Sequence, residues 1–162
     1  MSQAELVRGL SDEEIAEIEA EIAHLPDRES AAIDALMIVQ KHRGWVSDTS
    51  LHAIAQLLDM SSDALDSIAT FYNLIFRQPV GRHVVMVCDS VSCYVMGADG
   101  LGKAIQEHLG IAFGGTTDDD RFTLLPIVCL GACDKAPTMM IDEELIENVA
   151  PERLGEIFGR FD

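Results

Sequence analysis

Through the first half of the chain, apolar residues recur every three to four positions; after residue 80 they bunch into short continuous runs. "SDEEIAEIEAEIAHL" opens with a capping box, Ser11 to Glu14, and places Ile15, Ile18, Ile22 and Leu25 on one stripe before Pro26 stops the helix. "ESAAIDALMIVQKHRG" predicts a second helix with Ile33, Leu36, Met37 and Val39 or Gln40 inward. Its last turn is basic (Lys41, His42, Arg43), and Gly44 closes it. "DTSLHAIAQLLDM" and "SSDALDSIATFYNLIF" predict two more, with Asp48 and Ser61 as caps. Short turns join the four, which implies a small four-helix bundle over residues 1–79, with "RQPVG" at 77–81 as the boundary.

Beyond it, "HVVMV" reads as a strand covered on both faces. "ADGLGKAIQEHLG" is a helix ending at Gly110, "FTLLPIV" and "TMMID" are strands, and "EELIENV" is a possible short strand. "APERLGEIFGRF" closes the chain as a helix with Pro151 near its first turn. This β-α-β-β-α order over residues 80–162 predicts a small sheet with helices packed on it, so the class is α+β.

Composition adds one strong feature, a formal charge of −17. Residues 1–79 carry 5 Lys/Arg against 14 Asp/Glu, and residues 80–162 carry 6 against 14, so no acidic tail accounts for it. Such a field repels phosphate backbones and anionic lipid. No apolar stretch approaches the ~20 residues of a membrane span, and "MSQAELVRGLSDEE" lacks the pattern of a signal peptide. A cytoplasmic chain with reduced thiols is the expectation.

That matters for four cysteines. Cys88 and Cys93 form C-x4-C at the end of one predicted strand, and Cys129 and Cys133 form C-x3-C at the end of another. Each pair is expected in a loop. If the two strands are neighbours, both pairs meet at one edge of the sheet, and four thiolates together require metal. Zinc usually takes C-x2-C knuckles and a thioredoxin-type dithiol needs C-x-x-C; neither spacing is present. Spacing ranks an iron–sulfur centre first, zinc second, and redox or inert thiols third, and leaves all three open. Gly131 can turn a backbone N–H toward sulfur, and Val91, Val95, Leu130 and Ala132 are expected to keep water off. Ser90, Ser92 and Thr138 are candidate donors to sulfur, and Asp89 and Asp134 add negative charge beside it.

At these residues the chain resembles a known family. "ATFYNLIFRQPVGRHVVMVCDSVSC" and "RFTLLPIVCLGACDKAPTMMID" are similar to the NuoE-type subunit of bacterial respiratory NADH:quinone oxidoreductase (complex I), over nearly the whole length. The resemblance implies a thioredoxin-like ferredoxin domain in which Cys88, Cys93, Cys129 and Cys133 bind one [2Fe–2S] cluster. It also implies a flavoprotein (NuoF-type) partner that carries FMN and binds NADH, and a large iron–sulfur (NuoG-type) partner. The assembly would be a peripheral arm at the cytoplasmic face of the inner membrane, with the cluster near the flavin but off the main electron path. Related small subunits serve NAD-reducing hydrogenases and NAD-dependent formate dehydrogenases. One departure is the missing Tyr in "EELIENV".

The remaining chemistry is sparse. The five histidines show no metal-ligand spacing, and "GADGLGK" has the wrong order for a dinucleotide loop, so no catalytic residue is expected on this chain. Trp45 reads as packing, whereas Phe71 and Tyr72 fall where they could clamp the two domains or face a partner.

Overall fold

The computed structural model describes residues 9–161, and the chain divides into two compact units, residues 1–79 and 80–162. In the first unit the α-helices are α1 (Asp12–Ile22), α2 (Ala32–Arg43), α3 (Asp48–Leu57) and α4 (Ser62–Phe71). Three of the four starts are capped by a serine side chain. The Ser11 hydroxyl accepts the Glu14 N–H at 3.2 Å while the Glu14 carboxylate accepts the Ser11 N–H at 2.7 Å. Gly44 ends α2 with a φ of +82°, its N–H returning to the Gln40 carbonyl. Ser61 caps α4 by accepting the Ala64 N–H.

The structure departs from the sequence pattern at two helices. Ser47, not Asp48, caps α3: the Ser47 hydroxyl accepts the Ser50 N–H, and the Asp48 carboxylate instead receives Arg77 at 2.7 Å. Along α2 the inner face belongs to Ala32, Ala35, Leu36 and Val39, while Ile33 and Met37 are exposed. A helix with apolar residues on most sides has no unique stripe, and here small alanines occupy the crowded positions.

Ile18, Leu36, Val39, Ile54, Leu58 and Leu65 are the bulk of this core. Beside them Glu14 is buried, held by the Arg43 guanidinium at 2.6 and 2.5 Å, with Arg43 also donating to the Ser50 hydroxyl at 3.1 Å.

The second unit is built on a four-stranded sheet of β1 (His83–Cys88), β2 (Phe122–Ile127), β3 (Met139–Ile141) and β4 (Glu144–Ile146), in the order β2-β1-β3-β4. β1 and β2 are parallel with Cys88 opposite Ile127, joined through α5 (Val91–Val95) and α6 (Ala98–Leu109). A parallel pair needs a crossover of this kind. β3 runs antiparallel to β1, and β4 returns against β3 through a turn in which Asp142 takes a φ of 54°. Val85, Val87, Leu124, Met139 and Ile141 pack with Leu101 and Ile105 of α6 and with Leu154, Ile157 and Phe158 of the final helix, α7 (Leu154–Phe158).

Candidate metal centre

The register of β1 and β2 determines what meets at their ends. Cys88 is the last residue of β1 and lies opposite Ile127, so the segment carrying Cys129 and Cys133 leaves the sheet beside it. The Cys88 thiol donates to the Val128 carbonyl at 3.7 Å, tying one cysteine segment to the other. Cys93 was expected in a loop. It sits instead in the short helix α5, which follows Ser90 at its N-cap and turns Cys93 inward. Cys133 opens a 3₁₀ turn, Cys133–Lys135.

Two environments result. Cys88 and Cys93 are buried, whereas Cys129 and Cys133 are exposed. The exposed pair is already close, with its sulfurs 3.7 Å apart. Two ~2.3 Å metal–sulfur bonds at a tetrahedral angle would place their sulfurs about 3.8 Å apart, so this pair has the spacing of two ligands on one ion. Gly131, at a φ of +79° that favours glycine, donates its N–H to Cys129 Sγ at 3.3 Å. The Cys133 thiol is pushed up from its ordinary value, first by its hydrogen bond to Cys129, then by that neighbour's charge. Ser92 opposes the rise and Cys88 adds to it. Crowded sulfurs resist ionising together, and a bound cation removes that resistance.

The buried pair is held differently. The Cys88 N–H donates to the Thr138 carbonyl at 3.2 Å, and the Thr138 hydroxyl lies 3.5 Å from Cys93 Sγ. Among the described residues, no three His, Cys, Asp or Glu side chains gather tightly enough to grip a single ion. The four thiols thus divide into a buried pair and an exposed pair. A cluster whose two irons each take two thiolates could be held by such a division.

The apolar cover is not what sequence suggested. Val91 and Val95 were expected to shield the sulfurs, yet both point outward, as do Tyr94, Met96 and Val128. They are one turn apart on α5, on the side opposite Cys93, so burying the cysteine exposes them. Asp89 and Asp134 are exposed as well. Phe71 and Tyr72, packed edge to face at 5.2 Å, lie exposed at the end of α4. No helix among the described residues is long and apolar enough to cross a membrane.

Residues 18–162 match the family model of thioredoxin-like [2Fe-2S] ferredoxins. The chain is 47% identical over 165 residues to the E subunit of NADH-quinone oxidoreductase from Pseudomonas aeruginosa, covering 99% of each chain. It is 50% identical over 152 residues to the protein of the same name from Escherichia coli K12, covering 94% of this chain and 92% of that one. Among solved structures, an NAD+-reducing [NiFe]-hydrogenase in the air-oxidized state is similar at 20% identity and a TM-score of 0.65. The match covers 78% of this chain and 22% of that one, and it speaks to fold alone.

Proposed function

Because the chain belongs to the thioredoxin-like [2Fe-2S] ferredoxin family, we propose that it is the small electron-transfer subunit of an NADH:quinone oxidoreductase. In this reading Cys88, Cys93, Cys129 and Cys133 hold one [2Fe–2S] cluster. The observation that carries the reading is the meeting of a buried and an exposed thiol pair at the ends of two parallel strands, within a chain that matches NADH-quinone oxidoreductase relatives almost end to end. The hydrogenase likeness, at 20% identity, does not displace relatives at 47% and 50%.

When bound, the cluster supplies a site for one electron at a time. This chain's residues do the rest. The sheet fixes Cys88, α5 fixes Cys93, and the Gly131 N–H supports Cys129. The exposed pair faces the side from which an electron arrives or leaves, and the buried pair anchors the centre to the core. We assign FMN and NADH to a flavoprotein partner, and place that partner and a large iron–sulfur subunit in the same peripheral arm. The helices of residues 12–71 we read as a four-helix bundle that docks on the flavoprotein.

The test is co-purification of the chain with the flavoprotein subunit, followed by iron and acid-labile sulfide analysis and EPR after NADH reduction. Two irons per chain and a rhombic one-electron signal are expected. A colourless protein carrying one zinc would refute the assignment and make this a zinc-stabilised adaptor.

A further inference from the structure

Resting on that reading of the centre, the geometry points to Thr138 as a positioning residue that sets the reduction potential through Cys93. Thr138 is 1% exposed, a polar side chain in the dry interior at the head of β3. Its hydroxyl is satisfied, and the partner it meets is Cys93 Sγ at 3.5 Å. Its carbonyl accepts the Cys88 N–H at 3.2 Å. One residue therefore grips both members of the buried pair, one by backbone and one by side chain. The exposed pair is held otherwise: Gly131 supports Cys129 with a main-chain N–H that no substitution short of proline would remove, and the half-buried Ser92 side chain hydrogen-bonds Cys133.

A hydroxyl can donate or accept, whereas a metal-bound thiolate carries no proton and can only accept. When Cys93 is a ligand, the Thr138 O–H must therefore donate to sulfur or go unpaired in a water-poor site. A donor aimed at negative sulfur is charge-assisted and strengthened by low dielectric. Reduction adds negative charge to the centre, so the bond is stronger in the reduced state and raises the potential. Thr138 is the one buried hydroxyl beside a cysteine sulfur among the described residues, which makes it the effective lever.

The experiment compares the full chain, purified with its flavoprotein partner, as wild type, Thr138→Val and Thr138→Ser. Iron and sulfide are counted first, and the EPR signal is then titrated against potential. Thr138→Val keeps the shape and removes the donor; its reduced-to-oxidised ratio at a fixed potential should fall roughly three- to tenfold. At about 59 mV per decade for one electron, this is a midpoint lower by about 30–60 mV. Thr138→Ser restores the donor and should titrate with wild type. Two irons in wild type and Thr138→Val with the same midpoint would overturn the role of Thr138 and leave the centre standing. No iron in wild type would overturn the centre itself. If Thr138→Val fails to hold iron, Thr138→Ser decides: wild-type iron and midpoint support the hydroxyl's role, and failure alongside Val overturns it in favour of packing by the methyl group.

Discussion

Replacing Arg43 with Met should destabilise the helical unit by an amount that shrinks in acid. Glu14 is 1% exposed, and its carboxylate receives three donors: Arg43 Nε at 2.6 Å, Arg43 Nη2 at 2.5 Å and the Ser11 N–H at 2.7 Å. Arg43→Met keeps most of the apolar stem but leaves a buried carboxylate with a single donor. Stripping one partner from a buried pair costs about 3–5 kcal/mol. The Arg43 side chain is 36% exposed, so water can reach part of the vacated space, and about 2–3 kcal/mol is the expected loss. The assay is urea unfolding followed by tryptophan fluorescence. Trp45 is the only tryptophan and lies two residues beyond Arg43, so the signal reports on this unit. With an m-value of about 1.5 kcal/mol/M, the midpoint should fall by about 1.3–2 M.

The pH dependence tests the cause. Burial acts to raise the Glu14 carboxyl, but the hydrogen bond and charge of Arg43 and the Ser11 N–H outweigh it, and the net direction is below the ordinary value. A carboxyl lowered in the folded state stabilises the fold above its unfolded value, about 4.3, and that stabilisation disappears as pH falls through the folded value. In Arg43→Met, burial without the cation reverses the direction, so protonation relieves the variant. The gap between the two proteins should begin to narrow above about pH 4.3, as the variant's carboxyl takes up its proton, and narrow further below it as the wild-type pair is lost. A midpoint change under about 0.3 M at pH 7, or a gap that widens on acidification, would refute the account of Glu14 as a charge stabilised by Arg43.

Three further outcomes are expected. Cys129→Ser should abolish most visible absorbance and iron content while leaving far-UV circular dichroism unchanged, because Cys129 is exposed and outside the core; retention of two irons would remove Cys129 from the ligand set. Val95→Ser should leave cluster stability to oxygen and the melting temperature near wild type, because the side chain is 75% exposed and faces away from Cys93; rapid bleaching in purified protein would show that Val95 shields the sulfurs after all. Gln40 donates to the Leu74 carbonyl at 2.7 Å and accepts the Phe76 N–H at 2.6 Å. Gln40→Ala should therefore cost about 1–2 kcal/mol in the same fluorescence assay, and an unchanged midpoint would mean that water replaces both bonds.

Sequence legibility followed the range of the forces involved. The α1 capping box, the Gly44 stop and the runs that became β1 and β2 depend on residues a few positions apart, and all are readable in the chain. Helix α5 is only five residues long, too short to display a period, and its outward valines follow from turning Cys93 inward. A Glu in a capping box is normally solvated. That Glu14 is buried depends on Arg43, 29 residues away, reaching across from α2.

The same reasoning explains why the placing of each cysteine pair after a strand was legible while the inequality of the pairs was not. Their spacing shows only that each pair leaves a strand. The parallel register of β1 on β2, Cys88 opposite Ile127, makes the two exits adjacent. The antiparallel register of β3 on β1, Val87 opposite Met139, then puts Thr138 at the cysteine end of β1 and on its buried side. Shifting β3 by one residue would turn Thr138 to the opposite face and leave Cys93 without its hydroxyl. The asymmetry of the centre, one pair held in the core and one presented to solvent, is thus a consequence of strand order and register. The neighbours that would tune a metal held there are selected at the same step that builds the sheet.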